Sequence, residues 1–241
     1  MARGLSDWTI SSPSEVIHVS QDTAELAARL GSLNVEDRKG NVLWYDDFSC
    51  GVAGVYDYNP DTYRYLYCSI DTINQNKPCL VRYINYTGTY AGWIFKYFHL
   101  IKAISFGFET ALRVHDNLKL IQFEFMRYSG TRRYQFGIRY DHSENGKLYV
   151  NNGGSWVGLI IPGALSDFRN QYHYFKICGD FSTGKYIRFI LDDVVYNLSD
   201  RSYQSTSDTN KLGFCIQIRV DSKNAGECII PFTHFLLTIN E

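Results

Sequence analysis

The chain has 241 residues, 45% apolar and 20% charged, an ordinary composition for one principal globular domain. Lys plus Arg number 24 and Asp plus Glu 25, a net charge of -1. That balance argues against a nucleic-acid binder working through a basic stripe, and against a disordered acidic tail.

The first residues, Met1 to Asp7, lack the apolar core of a secretory signal. No apolar run approaches the ~20 residues that cross a membrane. The expectation is a chain made in a cytoplasm without a signal peptide and with no membrane partner. From Trp8 to Ser20 the sequence alternates loosely and contains Pro13. Asp22 can cap a short helix with Glu25 at the capping-box position, Ala24, Leu26, Ala27, Ala28 and Leu30 favour it, and Gly31 can end it. A helix this short is not stable alone. Its Leu26 and Leu30 therefore pack on this domain or on a neighbouring chain. Leu5, Trp8, Ile10, Val16 and Ile17 add apolar side chains that also need burial. Residues 1–40 read as an N-terminal arm with one short helix, and these seven residues as its grip on a second copy or a larger assembly.

From 41 to 241 the pattern is strands and turns. Aromatic residues reach 16%, with 19 Tyr and 15 Phe, and both favour strands. Ile121, Phe123 and Phe125 alternate with Gln122 and Glu124, and Tyr134, Phe136, Ile138 and Tyr140 with Gln135, Gly137 and Arg139. Ile187, Phe189 and Leu191 alternate with Tyr186, Arg188 and Ile190, and Phe214, Ile216, Ile218 and Val220 with Cys215, Gln217 and Arg219. Alternation of this kind marks antiparallel sheets with one buried and one wetter face. Asn145-Gly146 signals a tight hairpin, and Asn152-Gly153-Gly154 and Ser182-Thr183-Gly184 signal turns. Ile104 to Phe108 and Ile229 to Ile239 are apolar enough for central strands. The expected fold is all-β, an antiparallel sandwich over 41–241 preceded by the arm.

Chemistry is sparse. The six Cys form no C-x-x-C pair and read as reduced, buried side chains. The His residues never pair at i, i+2 or i, i+4 and read as surface or half-buried strand residues. Asp46-Asp47 and Asp192-Asp193 read first as aspartates bonding local backbone, and second as oxygen donors that could hold a structural Ca²⁺. No other cofactor is implied. Glu124, beside Arg127, reads as an exposed cross-strand ion pair, and Arg132-Arg133 as a basic pair in a turn. Tyr63, Tyr65 and Tyr67 share one strand face and Trp93 follows. This row could line the core, anchor a protein interface, or stack on sugar rings.

Three segments carry a resemblance. Leu43-Trp44-Tyr45-Asp46-Asp47-Phe48 is similar to an opening strand, Phe136 to Trp156 to a strand–turn–strand–Trp hairpin, and Gln171 to Ser199 to an aromatic strand entering a D-x-x-T-G-x-Y turn and two short strands. Together they resemble concanavalin A-like jelly rolls, laminin G-like or carbohydrate-binding-module in type. The resemblance implies a jelly-roll β-sandwich and possible partners that include glycans. Fold alone does not choose an activity. Retaining glycosidases of that superfamily carry carboxylates on alternate residues of one strand, as in E-x-D-x-x-E. Glu109 and Glu124 have no carboxylate two residues away, and the chain holds only eight Glu. It is therefore expected not to be an enzyme. Ala2 to Trp8, Thr23 to Ser32 and Asp37 to Asp47 also resemble phage-encoded proteins, which implies a virion component such as a capsid decoration protein. The functional expectation is a structural or interaction protein held in its assembly by the arm; the alternative is a carbohydrate-binding module with an aromatic platform.

Overall fold

The computed structural model describes residues 40–49, 55–58, 64–71, 77–86, 91–99, 105–144, 146–159, 171–208, 211–224 and 226–241. The arm residues Leu5, Trp8, Ile10, Val16, Ile17, Leu26 and Leu30, and Tyr63, lie outside them. Seventeen strands run through the described residues. The first six are β1 (Asn41–Asp46), β2 (Tyr56–Tyr58), β3 (Arg64–Asp71), β4 (Lys77–Tyr86), β5 (Ala91–Phe98) and β6 (Ser105–Leu112). Next come β7 (Leu118–Ser129), β8 (Arg132–Asp141), β9 (Lys147–Asn152), β10 (Ser155–Leu159), β11 (His173–Asp180) and β12 (Lys185–Leu191). The last are β13 (Val194–Asn197), β14 (Gln204–Ser207), β15 (Leu212–Ser222), β16 (Gly226–Phe232) and β17 (Phe235–Ile239).

They form two antiparallel sheets. The nine-stranded sheet runs β13-β12-β11-β6-β16-β4-β3, with β17 also on β6 and β1 on β17. The eight-stranded sheet runs β10-β9-β8-β7-β15-β5-β2, with β14 on β8. The expected alternation holds on β7, β8 and β15: Ile121, Phe123, Phe125, Phe136, Ile138, Tyr140, Phe214, Ile216, Ile218 and Val220 are all buried in one core. Phe106 and Phe108 of β6 and Phe175 and Ile177 of β11 meet them from the other sheet. Phe106 sits among four rings, 5.0 Å from Phe125, 5.5 Å from Phe136, 5.3 Å from Phe181 and 5.7 Å from Phe214. Arg82 is also buried on an inner face, opposite Ile230. It reaches Gly92 of β5, where any Cβ would overlap its guanidinium.

Several local expectations change. Tyr186 was placed on the wetter face of β12 but is buried. A bulge sets Gly179 opposite Tyr186 and Cys178 opposite Arg188, so Ile187 is the extra residue and the phase switches. The Tyr186 hydroxyl accepts from Gly137 N–H at 2.8 Å and donates to Asn151 O at 2.7 Å, joining the two sheets. Residues 229–239 are two strands, because the chain leaves β4 after Phe232 and rejoins the sheet beside β1 and β6. Of the expected Asn145-Gly146 hairpin, Asn145 lies outside the described residues, and the β8–β9 connection between the paired Asp141 and Lys147 is longer than two residues. Asp141 Oδ1 accepts from the Ser143 N–H and hydroxyl, winding His142–Glu144 into a 3₁₀ turn before β9. The tight turns lie at Gly153-Gly154, both at positive φ, and at Asp192-Asp193, where Asp192 has φ 54°. Arg132 and Arg133 open β8 instead of lying in a turn.

Candidate functional site

Because side chains alternate along a strand, the residues between the core positions of β5, β15, β7, β8 and β9 share the outer face of the eight-stranded sheet. Register then aligns them into rows. Trp93 lies opposite Arg219, Arg219 opposite Gln122, Gln122 opposite Arg139, and Arg139 opposite Tyr149. Two residues along the same strands, Phe95 lies opposite Gln217, Gln217 opposite Glu124 and Glu124 opposite Gly137. From Trp93 to Tyr149 the first row crosses four strand spacings, about 19 Å.

At the centre is Glu124, which is buried and accepts from Gln122 Nε2 at 2.6 Å and Gln135 Nε2 at 2.8 Å. On one side Arg219 lies over the Trp93 ring, 5.2 Å from its centroid, and forks onto Asp221 with two bonds of 2.7 Å. Trp93, Phe95 and Tyr97 stack along β5 at 6.3 and 6.2 Å. On the other side Arg139 lies 4.7 Å from the Tyr149 ring and 4.9 Å from the Trp156 ring. Gly137 makes room for that stack, since a Cβ there would come 3.1 Å from Trp156. The face thus presents a buried polar centre between two arginine–aromatic stacks.

Glu124 was expected in an exposed ion pair. It is instead covered, its neighbours in register are Gly137 and Gln217, and Arg127 reaches the Phe181 ring. Burial pushes its carboxyl above the ordinary value; the bond from Gln122, the charges of Arg133 and Arg219 and the bond from Gln135 offset this in part. A carboxyl raised in the folded state stabilises below its unfolded pKa, and that contribution is lost as pH rises through the folded value. Glu124→Gln keeps an oxygen for both amides and removes the ionisation. The variant is expected to melt above wild type at about pH 7.5, with the difference closing near pH 4. A lower melting point at neutral pH would show that the ionised carboxylate is favoured there.

A second polar cluster lies on the outer side of the nine-stranded sheet. Lys176 Nζ is 3.8 Å from Glu109 Oε2 and 3.3 Å from Glu241 Oε1, and Arg188 is 2.9 Å from Glu241 Oε2. The Tyr174 hydroxyl donates to Glu109 at 2.6 Å, Thr238 donates to Glu241, and His234 Nε2 lies 3.8 Å from Glu109. Lys176, Glu109 and the Glu241 side chain are buried. Both carboxylates are held by fixed partners, the pattern of an internal ion network.

Of the residues singled out in the sequence as a ligand face, Trp93 stands in the row described above. Tyr65 and Tyr67 lie on β3, opposite Tyr83 and Val81 in the other sheet, so the structure does not bring them together with Trp93. Asp46 and Asp47 accept from the backbone of Phe48 and Ser49. Asp192 reaches further, accepting from Tyr174 N–H at 2.9 Å and lying 3.0 Å from His173 Nδ1. His173 and His234 are buried, not half-buried as expected. Among the described residues no group of three or more His, Cys, Asp or Glu is placed to hold a metal ion. The five described cysteines form no disulfide with one another, and four of them are buried. The sequence did not single out Arg139, Tyr149, Trp156, Gln122 and Arg219 as site residues, although each sits at a wetter position of the alternation or in the hairpin already noted.

No protein-family model matches the chain, and no curated protein matches it. Solved structures do. A Bacillus licheniformis β-glucanase is 12% identical with TM-score 0.51, covering 83% of this chain and 99% of its own. A Bacteroides ovatus GH16 protein of a mixed linkage glucan PUL, in complex with its G4G4G3G product, is 11% identical with TM-score 0.50, covering 81% and 99%. The conserved carbohydrate esterase of Shiga toxin-encoding bacteriophage phi24B is 12% identical with TM-score 0.55, covering 84% and 100%. At these identities the likeness is one of fold, and with the two antiparallel sheets it establishes that the described residues form an antiparallel jelly-roll β-sandwich.

Proposed function

We propose that this protein is a non-catalytic carbohydrate-binding protein whose ligand lies across the outer face of the eight-stranded sheet. The observation that carries the reading is the row from Trp93 to Tyr149, with hydrogen-bonding groups at its centre and aromatic rings at both ends. An aromatic face complements the apolar CH face of a pyranose, and amide and carboxylate groups bond its hydroxyls. A row of about 19 Å suits an extended oligosaccharide rather than a single ring. Glycosidic cleavage by a retaining pair needs two carboxyl groups about 5–5.5 Å apart. The centre offers one, Glu124, with Gln122 and Met126 two residues away on its strand and Gln217 and Gly137 beside it. In this reading the arm of residues 1–40 attaches the sandwich to its assembly, a virion in the case the sequence suggests.

The test is affinity gel electrophoresis of the full chain in neutral mixed-linkage β-glucan and in polygalacturonate. At least one should retard wild type, and Trp93→Ala and Trp156→Ala should each lose the retardation while melting as cooperatively as wild type. If neither polysaccharide retards wild type, or both variants bind as wild type does, this reading is wrong.

A further inference from the structure

The two arginine–aromatic contacts differ in what fills the guanidinium edge. Arg219 lies on Trp93 and its fork is filled by Asp221, with two bonds of 2.7 Å. Arg139 lies against two rings, 4.7 Å from Tyr149 and 4.9 Å from Trp156, yet among the described residues no group accepts a hydrogen bond from it and no carboxylate lies within 4.0 Å. Its Nε is buried without a partner, whereas the residue as a whole is only half-buried. The nearest carboxylates by register and sequence are engaged elsewhere: Asp141 with Ser143, and Glu124 with Gln122 and Gln135. Contact with an aromatic ring uses the face of a guanidinium and leaves its edge, where N–H donors match a carboxylate in a planar fork.

We infer that Arg139 takes the carboxylate of an acidic sugar, so that the ligand of this face is a uronate-containing polysaccharide. The inference rests on the carbohydrate-binding reading and narrows it. The sugar carboxylate occupies at Arg139 the place that Asp221 occupies at Arg219. The adjoining Trp156 and Tyr149 rings border the same sugar, and Gln122, opposite Arg139 in register, lies in reach of the next.

Polygalacturonate and neutral mixed-linkage β-glucan are the probes, with the full chain titrated calorimetrically. Polygalacturonate is expected to bind, with affinity falling as salt rises. Arg139→Gln is expected to weaken it at least about tenfold. Arg139→Lys should lose as much, because an ammonium keeps the charge but not the fork; it also decides the matter should the glutamine variant fail to fold. Polygalacturonate affinity unchanged in Arg139→Lys overturns the inference. Binding of the neutral glucan alone, lost in Trp93→Ala, also overturns it while leaving the carbohydrate-binding reading in place. Binding of neither polymer overturns both.

Discussion

Replacing Lys176 by methionine is expected to cost about 3–5 kcal/mol of folding stability. Lys176 is 1% exposed, and its ammonium is shared by Glu109 and Glu241, whose side chains are also buried. Methionine matches the length of the stem but takes away a charge that two buried carboxylates face. Glu241 retains Arg188 at 2.9 Å, whereas Glu109 retains the Tyr174 hydroxyl and a histidine nitrogen at 3.8 Å. Most of the penalty should therefore fall on Glu109, and Glu109→Gln added to Lys176→Met should recover part of it. Urea unfolding of wild type, the single variant and the double variant measures both terms. A single variant within about 1 kcal/mol of wild type would mean that water or rearrangement compensates the cluster.

The second large effect is expected at Phe106. Phe106→Ala removes a ring that touches Phe125, Phe136, Phe181 and Phe214, and on its own sheet Gly179 packs so closely that a Cβ there would come 2.9 Å from Phe106. The cavity would be walled by rings of the eight-stranded sheet and by Phe181 in the turn after β11, which limits collapse, so the loss should lie near about 3–5 kcal/mol. Against a usual total of about 5–15 kcal/mol, that is a large share of the stability. Phe106→Leu, which refills most of the space, should lose clearly less. Equal losses in the two variants would show that the site needs the aromatic contacts themselves and not volume.

The fold was legible where alternation is uninterrupted. On β7, β8 and β15 the inner residues follow from parity alone, because a half-buried strand needs one apolar face. Parity fails at Tyr186, where a bulge inserts one residue; nothing in Lys185 to Leu191 marks it, because its cause is the pairing with Cys178 and Gly179. It fails also at Thr233-His234, where the chain changes neighbours. The site was half legible. Gln122, Glu124, Gln135, Arg139, Gln217 and Arg219 all stood at the wetter positions, and Arg133-x-Gln135-x-Gly137-x-Arg139 is polar at every second residue save a glycine. What parity does not carry is which strands lie side by side. β7 and β15 are far apart in sequence, and only their register sets Arg219 beside Gln122 and Gln217 beside Glu124. The same ignorance of sheet membership joined Tyr65 and Tyr67 to Trp93, which belong to different sheets.

The contact between Arg82 and Gly92 ties two positions on opposite sheets to a single history. Arg82 claims the space a side chain at 92 would fill, so any larger residue at 92 requires the guanidinium to move. An ancestor or descendant with a small residue at 82 is free to carry alanine or valine at 92, and one that keeps the arginine is not. Divergent copies of this sandwich that keep the arginine at 82 should therefore keep glycine at 92.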